Sequence, residues 1–308
     1  SKITHFSKLK IVASSLIFAS CLPGCTIEDG ESMNLTDLSN VPQVAASNEH
    51  AEQGKPVVYQ VFTRLFGNKN TTNKPWGTID ENGVGKFSDF TDKALLGIKA
   101  LGVSHIWYTG VPHHALIGDY TKFGIHNDDP DVVKGRAGSP YSVKDYYSVN
   151  PDLADNPAKR LEEFEALIAR THQQGMKVII APLGGEKHPL ADGIFNESPA
   201  KWTGNGSRAA QPSINDWYET IKVNYGVKPD GSYTFARLPE SYRFKSYQAH
   251  SEFWRNKKVP NSWVKFRDIT QFWLDKGVDG FRYDMAEMVP VEFWSYLNSA
   301  IKMTNKDA

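Results

Sequence analysis

"SWVKFRDITQFWLDKGVDGFRYD", residues 262–284, contains a helical pattern over 262–277, a glycine at 277 that ends it, and a short, mostly apolar strand. Side chains alternate along a strand. Val278, Gly280, Arg282 and Asp284 therefore share one face, and Asp279, Phe281 and Tyr283 share the other. A buried strand that places an arginine and an aspartate in its last positions needs a reason for the charge.

The same unit recurs upstream. "VVYQVFTRLF" (57–66) is a β-branched and aromatic run. "FSDFTDKALLGIKALG" follows, with Ser88 or Asp89 as the expected N-cap, and leads into the strand "VSHIWYTGV" (103–111). The helix "PAKRLEEFEALIARTHQQG" starts at Pro157, a favoured first-turn residue, and hands over at Gly175 to "MKVIIAPL". "VPVEFWSYLNSAIK" (289–302) is the last helix, and residues from Pro112 to about Asn156 read as a long polar loop. Helix, short glycine connection and apolar strand, repeated, form the grammar of parallel βαβ units with helices outside. Residues 184–261, rich in Gly, Pro, Asn, aromatics and charge, are too long for an ordinary loop and read as an inserted subdomain.

At 308 residues the chain can bury a substantial core. Its 35 acidic and 35 basic side chains balance, so no excess positive field draws a polyanion; nucleic acid is excluded as a partner and neutral ligands fit better. Lys2, Lys8 and Lys10 precede the apolar run "IVASSLIFAS", too short to span a bilayer, which reads as an export signal over residues 1–25. Cys21 and Cys25 end it in "FASC" and "LPGC", each similar to a bacterial lipoprotein processing box. Lipid attachment at one of them and plain secretion both remain open, so the expected location is the cell envelope or outside the cell. Residues 26–54 read as a flexible linker.

If the sheet closes into a barrel, Arg282 and Asp284 point into its interior at the C-terminal rim, where such folds keep their chemistry. Gly280 leaves room beneath them. The guanidinium, roughly 7 Å along the strand, favours the ionised carboxylate, and an ionised carboxylate in a cleft is a nucleophile.

"GVDGFRYDMAEMVPVEFW" resembles the fourth-strand motif of the alpha-amylase family of glycoside hydrolases. "GVSHIWYTGV", "GSPYSVKDYYSVNPDLA" and "ARTHQQGMKVII" are similar to the second strand, its following loop and the approach to the third strand. The resemblance implies a parallel (β/α)8 TIM-type barrel, of which only about the first four βα units are present, with a B-domain-like insertion after the third strand. Residues 55–183 would hold three of those units and 262–308 the fourth. It implies retaining hydrolysis of α-glucosidic bonds in starch or maltooligosaccharides, with Asp284 as nucleophile and Arg282 orienting it. Tyr141 would be the platform under the attacked sugar, and Glu287 would be a further substrate contact; His114, from its place after the second strand, is a separate candidate substrate contact. Such a mechanism needs a second carboxyl roughly 5–5.5 Å away. In the family that acid is a glutamate on the fifth strand, and the chain stops just beyond the fourth helix.

The pattern also departs from the family. The third strand should continue with an aspartate and an Asn-His pair, but "KVIIAPLGGEKHPL" has Ala181 in the aspartate's place, and His188 is too far along to carry over. The resemblance implies calcium as a cofactor; Ala181, and Ser213 where relatives offer a calcium-binding aspartate, argue against it. The switch after "KVII" reads as an internal deletion, which together with the absent second half suggests a fragment. The rival reading is an inactive, truncated member or a glucan-binding remnant. Asn127, Asp128, Asp129 and Asp131 in "HNDDPD" cluster oxygen ligands suited to a hard cation, or form a solvated turn. His113 and His114 follow the second strand, where a histidine could hydrogen-bond a sugar hydroxyl. Trp202, Trp217, Tyr218 and Trp254 are stacking platforms or core.

Overall fold

The computed structural model describes residues 54–128, 130, 133–183, 223, 225–228, 230–284 and 286–308. The expectations for residues 1–53, Asp129, Asp131, His188, Trp202, Ser213, Trp217 and Tyr218 lie outside the described residues. Six strands run through the described residues: β1 (Val58–Phe62), β2 (His105–Thr109), β3 (Pro112–His114), β4 (Val143–Val149), β5 (Lys177–Leu183) and β6 (Gly280–Tyr283). The helices are α1 (Ile79–Asn82), α2 (Asp92–Lys99), α3 (Arg160–Gln173), α4 (Tyr247–Trp254), α5 (Asn261–Asp275) and α6 (Val291–Thr304).

β1, β2, β5 and β6 form one parallel sheet in that order, matching the four strands read from the sequence. Each helix before a strand buries one stripe against it. α2 buries Leu95 and Ile98, α3 buries Phe164, Leu167 and Ile168, and α5 buries Trp263, Phe266, Ile269 and Trp273. Against them the sheet presents Val61, Ile106, Tyr108, Val178 and Ile180, all essentially inaccessible to water. Aromatic rings fill the space between: Tyr108 meets Phe90 edge-on at 5.1 Å, and Phe164 meets Trp273 at 6.0 Å. Gly175 and Gly277, both at positive φ, stop α3 and α5 where the chain must turn into a strand.

Local chemistry fixes the helix starts. Thr91, not Ser88 or Asp89, caps α2, its side-chain oxygen accepting from the Ala94 N–H; Phe87–Asp89 instead forms a 3-10 turn. At α3 the Glu163 carboxylate reaches back to accept from Asp155 N (2.9 Å) and Asn156 N (3.0 Å), while Asn156 caps the 3-10 turn that opens on Pro157.

The stretch from Pro112 to Asn156 is more ordered than a polar loop. β3 and β4 pair antiparallel, and Trp273 Nε1 of α5 donates to the Tyr146 carbonyl in β4 at 2.8 Å. The described part of 184–261 shares the same core: Tyr225, Phe235 and Trp254 are buried in it. Trp254 Nε1 donates to Ser295 Oγ of α6 at 2.8 Å, which ties α4 down. Glu292, buried in α6, accepts from Arg237 Nε at 2.7 Å and from Leu238 N at 3.2 Å. Trp254 is therefore a core residue rather than an exposed stacking platform.

Candidate functional site

The sheet has two unlike faces. Register places Gln60, Trp107, Ile179 and Gly280 in one layer, side by side across the four strands. They face away from the helices. Val58, at 48% exposure, and Phe62, at 37%, open onto this same side, whereas Val61 between them is 6% exposed against the helices. Arg282 continues the open face on β6 by strand alternation, and Asp284, one residue past the end of the strand, lies beside it.

Arg282 Nη1 lies 3.0 Å from Asp284 Oδ1, with both side chains about one-third exposed at 32% and 31%. Nη1 nonetheless has no aligned hydrogen-bond acceptor among the described residues, so its contact with Asp284 is electrostatic rather than a directed hydrogen bond. An ion pair this open contributes about 1 kcal/mol or less to stability. What holds the guanidinium is aromatic: its carbon lies 5.0 Å from the Trp107 ring centroid and 5.6 Å from that of Tyr141.

Tyr141 reaches this place because the loop before it turns tightly. Gly138 has φ +73°, and a Cβ there would lie 1.7 Å from the Ala115 carbonyl oxygen, so only glycine fits. The loop is further tied by Tyr141 N donating to Ser139 Oγ at 3.3 Å.

Beside the end of β1 lies a buried charge cluster. Asp152 is 3% exposed, accepts from the Tyr120 hydroxyl, and pairs with Arg64 Nη1 at 3.4 Å; Lys86 Nζ donates to the Asp152 carbonyl at 2.7 Å. Burial and the Asp152 carboxylate push the Tyr120 hydroxyl well above the usual phenol range, so Tyr120 serves as a donor. The cluster clamps the strand end that carries Phe62 to the segment after β4.

A family model described as "Alpha amylase, catalytic domain" matches residues 60–305. The chain belongs to the alpha-amylase family. Among relatives, it is 22% identical over 277 residues to "Neopullulanase 2" of Thermoactinomyces vulgaris, covering 82% of this chain and 37% of that protein. It is 27% identical over 291 residues to "Alpha-1,4-glucan:maltose-1-phosphate maltosyltransferase" of Cereibacter sphaeroides, covering 88% and 41%. Among solved structures, "Cyclic alpha-maltosyl-(1-->6)-maltose hydrolase from Arthrobacter globiformis" matches with a TM-score of 0.43 and 22% identity, over 82% of this chain and 49% of the other. The chain thus spans about two fifths of the length of these curated relatives.

Of the residues singled out by the alpha-amylase resemblance, Asp284, Arg282 and Tyr141 come together. Glu287 is exposed in the 3-10 turn Ala286–Met288. His114 is elsewhere: it is 3% exposed, and its Nε2 lies 2.9 Å from the Ala137 carbonyl, which takes the one N–H of a neutral ring. Nδ1, 3.3 Å from the Pro112 carbonyl, is then the unprotonated nitrogen and gains no hydrogen bond from that oxygen. Burial pushes the His114 pKa down, which keeps the ring neutral and leaves it a structural residue rather than a sugar contact. Trp107 was missed by sequence reasoning, since nothing local marks which aromatic of a strand will lie under an arginine.

The calcium expectation does not fit the described residues. Asp128 Oδ1 is 2.8 Å from Lys144 Nζ, with both side chains buried, and its Oδ2 accepts from Leu116 N at 3.0 Å. Both oxygens are committed to protein donors. Among the described residues no group of three or more His, Cys, Asp or Glu side chains is arranged to hold a metal ion. Ala181, on β5, brings no ligand either.

Proposed function

We propose that the open face of the sheet is part of an α-glucan site of retaining type, with Asp284 as the attacking carboxylate and Arg282 as its orienting cation. The single observation carrying this reading is the Arg282–Asp284 contact at 3.0 Å on the accessible face, flanked by Trp107 and Tyr141. Chemically, a carboxylate oxygen would attack the anomeric carbon to form a covalent glycosyl-enzyme, while a second carboxyl protonates the departing oxygen. Tyr141 supplies a flat apolar surface for the sugar ring. The names of the relatives, which include a neopullulanase and a maltosyltransferase, support α-linked glucose polymers or maltooligosaccharides as the ligand class.

On this reading the four parallel strands are the first half of a (β/α)8 barrel, and the open face is its interior. Export follows from the basic and apolar N-terminal pattern, with a lipid anchor at Cys21 or Cys25 or simple secretion as the two routes.

A second reading is favoured by the composition of the open face itself. Val58, Gln60, Phe62, Trp107, Thr109, Ile179, Ala181, Gly280 and Arg282 offer no second carboxyl beside Asp284. By this reading the 308-residue chain binds glucan without turning it over. Incubation with a nitrophenyl maltooligosaccharide, alongside Asp284→Asn, separates the two. Release above the Asp284→Asn control supports hydrolysis by the chain alone, glucan affinity without release supports the binding form, and neither release nor affinity refutes the site.

A further inference from the structure

We propose that Trp107 is a positioning residue for Asp284 and acts through Arg282, an inference that rests on the reading of Asp284 given above. Arg282 carries a long side chain whose free rotation must be suppressed before its charge can define one geometry beside the carboxylate. Directed hydrogen bonds do not provide that restraint at Nη1, which is buried without an aligned acceptor among the described residues. The restraint lies in the rings. Trp107 projects from β2 on the open face, in the layer that contains Gly280, and Arg282 starts one layer above. Because Gly280 has no side chain, with only Ile179 Cγ1 near a Cβ position at 3.8 Å, the arginine can settle toward the indole, 5.0 Å away.

The residue type supports the same conclusion. Trp107 Nε1 is buried with no hydrogen-bond partner among the described residues, a cost that phenylalanine would not incur. What tryptophan gives in return is the ring face that binds cations most strongly. Tyr141, at 5.6 Å, contributes a second face but belongs to a loop, whereas Trp107 is fixed by pairing on both sides, to β1 and to β5. The rigid partner therefore sets the position of the guanidinium, and the guanidinium sets that of Asp284.

Two measurements on the full chain test this. In arginine Nε–Hε correlation spectra, with Arg282 assigned by its loss in Arg282→Lys, the wild-type Hε signal should lie upfield of an exposed arginine such as Arg255. It should stay upfield in Trp107→Phe and move part of the way toward the exposed position in Trp107→Leu, where only the Tyr141 ring remains. A wild-type signal already at the exposed position overturns the proposal without any Trp107 variant. The second measurement is the rate of carbodiimide amidation at Asp284, read by peptide mass spectrometry. Trp107→Leu and Arg282→Met should each change it by roughly two- to five-fold, the range open to an ion pair of this exposure. The double variant should change it no further; additive effects, or no effect of Trp107→Leu in a folded chain, overturn the inference. Neither readout needs turnover, so failure of the glucan assay and failure here are separate results.

Discussion

Replacing His113 by methionine should make the protein less sensitive to acid at no loss of stability near neutrality. His113 is 3% exposed, and among the described residues neither ring nitrogen has a hydrogen-bond partner. Burial comes first among the causes that hold its pKa well below the ordinary 6.5, followed by the positive charges of Lys144 on β4 and Arg160 on α3; His114 on its own strand adds to them only when protonated. The folded state thus keeps the ring neutral, while the unfolded chain binds a proton below pH 6.5. Stability contributed by the neutral ring is complete above that pH and is lost as pH falls through it. For one such site the loss between pH 7.5 and 5.5 reaches at most about 1.4 kcal/mol, the limit in which the folded ring takes up no proton. Methionine has a similar volume, adapts to irregular space and carries no proton, so at pH 7.5 the change should lie within about 1 kcal/mol or favour the variant, which no longer buries an unpaired polar group. Urea unfolding of both proteins at pH 7.5 and 5.5 gives the comparison. His105 and His114, whose pKa values burial also lowers, are present in both, so the difference of differences isolates His113. Parallel pH dependence of parent and variant, or a loss of more than about 2 kcal/mol at pH 7.5, would show that the ring is hydrogen-bonded or charged in solution, and would refute the reasoning.

Lys144→Met should cost about 3–5 kcal/mol by stranding the buried Asp128 carboxylate, and adding Asp128→Asn should recover more than half, because the amide oxygen can still accept from Leu116 N. Urea midpoints of the single and double variants decide this. Gly138→Ala should leave the melting temperature of the sheet and helices within a few degrees yet weaken maltooligosaccharide affinity, since the loop that presents Tyr141 cannot keep its approach to the Ala115 carbonyl; titration calorimetry reads the loss. Phe164→Ala, which empties a position touching Phe87, Tyr108 and Trp273, should cost about 3–5 kcal/mol in the same urea assay.

The elements that sequence revealed are those whose signal is local. β6 and its alternation were legible because Arg282 and Asp284 are separated by one residue and Gly277 marks the turn. The β3–β4 pair was not, because Pro112–His114 is only three residues long and its partner lies beyond a long connection, with register shifts between them. The N-cap went to Thr91 since its oxygen, unlike those of Ser88 and Asp89, stands three residues before a free helical N–H. "HNDDPD" read locally as either a cation cradle or a solvated turn; Lys144, sixteen residues downstream of Asp128, pairs with that carboxylate from another strand. His113 and His114 are adjacent and chemically identical on paper, yet alternation sends one toward Lys144 and Arg160 and the other toward Ala137 and Asp152. Trp107 was hidden for the same reason, its meeting with Arg282 being a contact across the width of the sheet.

These facts also separate what stabilises the fold from what builds the site. On the helix side the sheet is sealed by Val61, Ile106, Tyr108, Val178 and Ile180, and packing there supplies the hydrophobic stabilisation. On the other side Gln60, Trp107, Thr109, Arg282 and Asp284 sit among exposed Val58 and Phe62, and their mutual contacts are an open ion pair, ring faces and a 3.2 Å hydrogen bond from Gln60 Nε2 to Thr109 Oγ1. Each of those is weak beside a buried aromatic. Asp284→Asn should therefore barely move the unfolding midpoint while acting on the chemistry, and Phe164→Ala should do the reverse. Because strand alternation assigns successive residues of β6 to opposite duties, a one-residue slip of that strand would exchange Phe281 and Tyr283 for Arg282 and Asp284 and destroy the core and the site in a single step.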